Sequence, residues 1–258
     1  MASVKNKNSY NDKLLSIYFN LLRLRLCEEA LVKEYHPADE MRCPVHFCIG
    51  QEATPSALEL LINKNDILFC HHRSHGYYLA KKSPMKELFA ELYGKKTGAN
   101  QGLAGSQDIS YHKKNFFGGA ILAGSIGLAT GAALGLQLDN QNSIAITVFG
   151  ESATDQGLFW ESLNYSSLKK LPILFICENN NYSVFSPAKD RQSGLAIYKK
   201  ARSFGVKSKK IFGNDAVDIY KNLKKIIESI KKKNEPFLLE LDTYRISSHY
   251  GTENDLEI

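Results

Sequence analysis

Short apolar runs and longer amphipathic stretches alternate through the second half of the chain. Unbroken apolar runs occupy residues 144–149, 173–178 and 237–243, and polar or turn-forming residues bound each of them. Residues 155–169 and 215–232 instead carry apolar side chains at the spacing of a helix. Strands covered on both faces are continuously apolar. The pattern therefore predicts an α/β fold, with a doubly wound, mostly parallel sheet and helices on both faces.

The first half of the chain reads as mainly helical. Residues 11–35 form a Leu-rich stretch without Gly or Pro, and its apolar side chains fall on more than one helix face. Residues 95–119 are rich in Gly, Asn and Ser, and so long a loop is usually functional or mobile. The Gly- and Ala-rich residues 120–138 predict a closely packed helix. A loop-to-helix transition, a strand and a further helix are expected at 50–62, 66–71 and 84–94.

Length and composition indicate an ordinary globular protein. With 258 residues, 23% charged and 43% hydrophobic, the chain is long enough to bury a core. We expect a single domain over residues 1–258, with residues 1–40 as an N-terminal helical extension. The N-terminus lacks the apolar region of a signal peptide, and the longest apolar runs are too short to span a membrane. Five cysteines without a C-x-x-C pair favour a reducing cytoplasm.

The net charge of +6 is concentrated in two lysine-rich stretches, residues 207–210 and 224–233. We interpret them as a solvated helix face and its flanking loops. Nucleic-acid binding would require interleaved aromatic residues or a known docking motif, and neither is visible in these stretches. A phosphate-bearing small molecule or an acidic partner chain explains the excess more simply.

Polar residues follow two of the predicted strands. Glu151 leaves the strand 144–149, and the sequence ENNNYS begins at residue 178, at the end of the next strand. One βαβ unit consumes about thirty residues, so Glu151 and Asn180 are expected at the same sheet edge. A helix begins near Thr154 or Asp155 at this edge, and helix starts bind phosphate. Carboxylate and amide oxygens suit Mg²⁺ or Ca²⁺, so the pattern predicts a divalent cation that bridges the protein to a diphosphate.

Other interpretations of these residues stay open at this point. Glu151 can be a charge at a helix start, and Asn179, Asn180 and Asn181 can be ordinary turn residues. The dinucleotide fingerprint and the nucleoside-triphosphate loop are both excluded. The sequence GESATDQG lacks the second glycine of G-x-G-x-x-G, and G-x-x-x-x-G-K-[ST] does not occur.

Residues 149–187, FGESATDQGLFWESLNYSSLKKLPILFICENNNYSVFSP, resemble the thiamine-diphosphate segment of alpha subunits of the first component of 2-oxo acid dehydrogenases. That family typically shows G-D-G-A at the first strand end and E-N-N-x-Y at the second. The likeness covers roughly residues 40–251. Further matching segments, in the family's order, are 46–53, 72–98, 115–119, 213–220 and 241–251.

The resemblance implies a metal site. Glu151 takes the position of the metal-binding Asp, Asn180 supplies a side-chain oxygen and Tyr182 a backbone carbonyl, all to one Mg²⁺. Arg73 matches the arginine that holds the diphosphate, a task that suits its planar fork. Backbone N–H groups of Ser152 and Ala153 would also contact the diphosphate.

Further positions complete the implied site. His72 stands where the family often has Tyr, and the Ala123 carbonyl would contact the aminopyrimidine of the cofactor. His249 falls on the second histidine of the Y-R-x-H-G-H loop, near the cofactor and the reacting centre. His46 and Gln51 would lie on the substrate side. The implied catalytic residues are His249 and His46, and the implied cofactor-binding residues are His72, Arg73, Ala123, Ser152, Ala153, Asn180 and His249.

The chain departs from the family pattern in places. Glu151 is one methylene longer than Asp, whereas Mg²⁺ requires near-octahedral geometry at short distances. Ser152 replaces a glycine beside the phosphate. The family's G-G-S-M-H loop reads AGSQDISYHKKN here, and Asp108 stands near the usual histidine.

The resemblance implies an enzyme: the alpha subunit of a thiamine-diphosphate- and Mg²⁺-dependent dehydrogenase or decarboxylase that acts on pyruvate or a similar 2-oxo acid. It implies a beta subunit with the pyrimidine-binding domain and an alpha2beta2 assembly, without nucleic acid or membrane. One alternative is a carboligase that transfers the acyl unit to an aldehyde or ketone. The other is a non-catalytic scaffold paralogue, which the Glu151 and Ser152 substitutions motivate.

Overall fold

The computed structural model describes residues 2–35, 40–41, 43–194 and 196–252, with side chains from Tyr10 onward. The remaining positions of the predicted domain 1–258 lie outside the described residues. The same holds for residues 36–39 of the predicted extension 1–40.

Seven strands in the described part of the chain form one sheet, in the order β2-β3-β1-β4-β5-β7-β6. All neighbouring pairs are parallel except β2 and β3, which are antiparallel. The mostly parallel sheet confirms the predicted fold class. The strands are β1 Ile67–Cys70, β2 Ser110–Tyr111, β3 Phe116–Gly118, β4 Ala145–Gly150, β5 Ile173–Asn179, β6 Lys207–Phe212 and β7 Phe237–Asp242.

Helices lie between the strands, and the described ranges also contain 3₁₀ turns at His112–Lys114 and Glu151–Asp155. None of the helices within the described ranges is long and apolar enough to cross a membrane. The helices are α1 Ala2–Glu34, α2 Ala53–Leu58, α3 His75–Ala80, α4 Met85–Leu92, α5 Gly124–Leu138, α6 Gly157–Lys169, α7 Ala188–Arg191, α8 Ile197–Ser203 and α9 Ala216–Lys233.

The central strands are buried on both faces of the sheet. Along β4, Ile146 and Val148 belong to a core with residues of α1, α2 and α9, whereas Ala145 and Phe149 belong to a second core with residues of α5 and α6. Successive side chains of a strand point to opposite faces, so the two cores lie on opposite sides of the sheet. This is why the strands read as continuous apolar runs.

The predicted helix 215–232 illustrates how the sequence determines an element. Asp215 is the N-cap, and its carboxylate accepts hydrogen bonds from the backbone N–H groups of Val217 and Asp218. Asn234 ends the helix with φ 49°. The buried residues of its apolar face are Ala216, Ile219, Leu223, Ile226, Ile227 and Ile230.

Four expectations about elements were wrong. The first helix begins at Ala2 instead of 11, since no Gly or Pro interrupts residues 2–12. Strands β2 and β3 lie inside the stretch predicted to be a loop. The lysine-rich residues 207–210 belong to β6, an edge strand in which Lys207 and Lys209 are exposed and Lys210 forms an ion pair with Asp242. The helix after β4 begins at Gly157 and not near Thr154, because a 3₁₀ turn comes first.

Candidate active site

A pocket lies at the carboxyl ends of β1, β4 and β5, where parallel α/β sheets bind ligands. Each strand contributes the residues that directly follow it. Of the residues that the resemblance singles out, His46 alone is not part of the lining. The lining includes Gln51, His72, Arg73, Ala123, Glu151, Ser152, Ala153, Asn180, Tyr182 and His249. The fold therefore brings together residues that lie up to about two hundred positions apart in sequence.

Glu151 is the carboxylate of this pocket. It stands in the 3₁₀ turn after β4 and is only 2% exposed. Burial raises the pKa of Glu151 to about 7, although the Arg191 guanidinium beside it acts in the opposite direction. Arg191 Nη2 lies 2.5 Å from Glu151 Oε1, and its Nη1 donates to Asp155. The carboxylate thus already faces a cationic group.

The loop after β5 supplies neutral oxygen atoms. Asn180 Oδ1 accepts a hydrogen bond from the Tyr182 N–H at 3.0 Å, and Asn179 Oδ1 accepts one from the Asn181 N–H at 2.9 Å. These bonds hold the loop in shape, and each amide oxygen keeps a second acceptor position. Together with Glu151, the loop provides carboxylate, amide and carbonyl oxygens, the hard donors that Mg²⁺ prefers. The residues present therefore fit a divalent cation.

Arg73 forms part of the pocket wall and is 5% exposed. Its guanidinium donates to the backbone carbonyls of Phe47 and His249, the latter at 2.7 Å. Burial lowers the pKa of Arg73. A guanidinium has five N–H donors, so Arg73 can hold both carbonyls and still present donors to an anion.

His46 lies behind the lining and packs against two histidines of the pocket. Its ring centre is 4.6 Å from that of His72 and 5.2 Å from that of His249. Burial, reinforced by Arg73, lowers the pKa of His46 to about 3. Burial, with the neighbouring histidines, also lowers the pKa of His72. Both imidazoles are therefore neutral near pH 7 and can accept a hydrogen bond or a metal ion.

Ala123 is the N-cap of α5 and has φ 61°. The left-handed conformation costs a non-glycine residue roughly 1–2 kcal/mol, and such positions concentrate at functional sites. The Ala123 carbonyl accepts a hydrogen bond from the Ile126 N–H at 3.0 Å. Its second acceptor position is the one that a ligand can use.

Two polar residues of the pocket region, Glu178 and Arg191, were not predicted from the sequence. Glu178 is 4% exposed, and its carboxylate lies 3.3 Å from His71 Nε2 and 2.5 Å from the Tyr77 hydroxyl. Glu178 could have been found, because it opens the ENNNYS segment at the strand end. Arg191 gave no such signal, since it lies 40 residues after Glu151 in a one-turn helix.

A family model described as "Dehydrogenase E1 component" matches residues 21–256. The chain therefore belongs to this family, in the class of alpha subunits of thiamine-diphosphate-dependent 2-oxo acid dehydrogenases that the sequence resemblance indicated. Members of this class use thiamine diphosphate and generally pair with a beta subunit.

Curated relatives are named as alpha subunits of the pyruvate dehydrogenase E1 component. The one from Rickettsia typhi is 31% identical over 246 residues, which is 95% of this chain and 75% of the relative. The one from Porphyra purpurea is 34% identical over 96% of this chain and 74% of the relative. The mitochondrial one from Dictyostelium discoideum is 32% identical over 96% of this chain, and the match spans 64% of the relative.

Proposed function

We propose that this chain is the alpha subunit of an alpha2beta2 enzyme that acts on pyruvate or a similar 2-oxo acid and anchors thiamine diphosphate through Mg²⁺. The observation that carries the proposal is the convergence of Glu151, Asn180, Tyr182 and Arg73 on one pocket at the carboxyl edge of the sheet. The names of the relatives support the substrate class. A cytoplasmic location remains a prediction.

Each oxygen ligand has a distinct part in the proposed metal site. Glu151 supplies the negative charge, Asn180 Oδ1 a neutral side-chain oxygen and Tyr182 its backbone carbonyl. Glu151 lies in the 3₁₀ turn that precedes α6 and not in the first turn of that helix. The backbone N–H groups of Ser152 and Ala153 are donors for the diphosphate.

The histidines act on the substrate side in this proposal. When bound, thiamine diphosphate supplies the electron sink for decarboxylation of the 2-oxo acid. The chain contributes neutral imidazoles of His46 and His72, which can accept hydrogen bonds near the reacting atoms, and His249 packs against both of them. Arg73 fixes the His249 loop, because its guanidinium donates a hydrogen bond to the His249 carbonyl at 2.7 Å. The arginine thus couples the anion site to the position of His249.

Calorimetric titration of the co-purified alpha–beta complex with thiamine diphosphate and Mg²⁺ tests the proposal. We expect Glu151→Gln to abolish Mg²⁺-dependent binding, because an amide removes the anionic ligand. Glu151→Asp, which keeps the charge, is the matched control and is expected to retain binding. Equal binding by the wild type and Glu151→Gln would contradict the metal site. Product analysis with pyruvate, with and without an aldehyde acceptor, then separates a dehydrogenase from a carboligase.

A non-catalytic scaffold remains the second candidate, and one observation favours it. Arg191 satisfies the buried Glu151 carboxylate without a metal ion. If neither the wild-type complex nor Glu151→Asp binds thiamine diphosphate while the alpha–beta complex still forms, the scaffold is supported and the enzyme proposal fails.

A further inference from the structure

Three histidines from three separate segments form a nearly equilateral cluster. The ring centres of His46, His72 and His249 are 4.6, 5.0 and 5.2 Å apart, and no pair is stacked. Each ring offers a nitrogen atom that lies within 4.8 Å of the nitrogens of the other two. We call this set the histidine cluster.

The spacing matches that of a three-histidine metal centre. A Zn²⁺–nitrogen distance of about 2.0–2.1 Å places the ring centre about 3.2 Å from the ion, so three rings at tetrahedral angles have centres about 5.2 Å apart. The separations in the structure, 4.6 to 5.2 Å, lie within about 0.6 Å of this value. Rotation of the rings about their own side-chain bonds would bring the nitrogens to the spacing that one shared ion requires.

A second observation points to a ligand. His46 is 3% exposed, and its Nδ1 has no hydrogen-bond partner among the described residues. A buried polar atom without a partner is costly, and it requires an explanation such as an ion or water. The neutral state of His46 and His72 means that no proton has to leave these rings before a metal ion binds.

We propose that His46, His72 and His249 bind a divalent transition-metal ion of the Zn²⁺ class. Three protein ligands leave a fourth position, which faces the pocket and takes water or a carboxylate. The third ligand comes from His72, at the position where the family often has Tyr, so the cluster is completed by a departure of this chain from the family pattern.

The proposed site differs from the Mg²⁺ site in its ligands. Imidazole nitrogens prefer Zn²⁺, Co²⁺, Ni²⁺ and Cu²⁺, whereas the oxygens around Glu151 prefer Mg²⁺. Neighbouring charges both oppose and favour the binding of a cation at the histidine cluster. Arg73, which contacts the His249 carbonyl, opposes a second cation, while Glu178, which contacts His71 beside the cluster, favours one.

Titration of the untagged chain with Co²⁺ in the absence of thiamine diphosphate tests the site. We expect one Co²⁺ per chain with the visible spectrum of a four-coordinate ion, and an excess of Mg²⁺ should not displace it. His72→Phe keeps a ring of similar size but removes a ligand, so the affinity should fall by about a hundredfold. A second variant, His46→Phe, should have the same effect.

The control is His112→Phe, because His112 is exposed on the 3₁₀ turn His112–Lys114, outside the pocket. It should bind Co²⁺ like the wild type. Circular dichroism establishes that each variant is folded. Equal Co²⁺ binding by the wild type and both cluster variants, or a wild-type spectrum of only the six-coordinate ion, would overturn the proposal. Since no cofactor is present, the outcome is independent of the thiamine-diphosphate proposal.

Discussion

At the scale of single residues, Arg191 is the main finding that the sequence did not predict. Arg191 lies in α7, and its guanidinium forms ion pairs with Glu151 and Asp155 in the 3₁₀ turn after β4. The ion pair partly offsets the cost of burying Glu151, whose pKa nevertheless stays near 7. A metal ion that binds Glu151 must therefore replace a cation that is already there.

We predict that Arg191→Gln binds divalent cations more tightly than the wild type. At pH 8.5, above the pKa of about 7 of wild-type Glu151, removal of the competing guanidinium should raise Mn²⁺ affinity about tenfold, equivalent to about 1.4 kcal/mol. Loss of Arg191 also raises the pKa of Glu151, so the gain in affinity should grow as the pH increases. Electron paramagnetic resonance of free Mn²⁺ measures this without substrate turnover. Arg202→Gln is the matched control, since Arg202 is exposed and contacts Ser208 away from the pocket. Weaker binding by Arg191→Gln would instead make Arg191 a supporting part of the site.

Residues of the site differ in how far the sequence could predict them. Glu151 and Asn180 could be predicted from the sequence, because each follows an apolar run and parallel strands end at a common edge of the sheet. Arg73 and His249 needed the resemblance to a family, since nothing in their own surroundings indicates a pocket. The contact of Arg191 with Glu151 depends on how a loop after β5 folds back, and no periodic pattern encodes that.

At the scale of elements, the stretch 95–119 shows where pattern reasoning fails. It was expected to be a long loop, but one buried carboxylate organises its first part. Glu91 is 1% exposed and accepts hydrogen bonds from four backbone N–H groups. The backbone at Gly102 packs closely against Gly94, which only a glycine allows, because a Cβ at residue 102 would lie 2.4 Å from the Gly94 carbonyl carbon. The four donors belong to Asn100, Gly102, Ala104 and Gly105.

We predict that Glu91→Gln loosens this segment without unfolding the sheet. An amide has one acceptor oxygen instead of two, so about two charged hydrogen bonds are lost, each worth about 1.5–3 kcal/mol. Hydrogen exchange of the Asn100 and Ala104 amides should accelerate by about a hundredfold or more. Glu87→Gln, on the same helix, is the control, because Glu87 accepts only a Tyr111 hydroxyl among the hydrogen bonds described for its side chain. Equal exchange in the two variants would show that other contacts order the segment.

The central elements could be predicted because their own sequences, and not contacts with distant residues, determine them. The strands β4, β5 and β7 are recognisable as continuous apolar runs. Helix α9 is recognisable from its apolar residues at helical spacing and from its N-cap residue. The edge strand β6 is not recognisable in this way. Its exposed Lys207 and Lys209 alternate with half-buried Ser208 and Lys210, so β6 lacks the continuous apolar run of the central strands and its sequence resembles that of a solvated helix or loop.

At the scale of the whole molecule, apolar surface remains after both cores are filled. On α1, the side chains of Leu15 and Phe19 are 66% and 64% exposed. On α5, Leu128 and Leu138 are 65% and 71% exposed, beside glycines that face open space. Surface of this kind commonly marks a contact with another chain, which agrees with the beta subunit of the proposed assembly.

The glycines of α5 allow a sharp test of that contact. A Cβ added at Gly131 meets no atom within 4 Å, and Leu is a far better helix former than Gly, by about 0.8 kcal/mol. Gly131→Leu should therefore leave the isolated chain as stable as the wild type, or more so, in urea denaturation. A partner helix packed against Gly131 would be displaced, and the affinity for the beta subunit should fall at least about tenfold. Lys221→Leu adds the same side chain to an exposed position of α9 and should not weaken pairing. If both variants bind the beta subunit equally, α5 is not a subunit contact, and the first helix becomes the surface that must supply it.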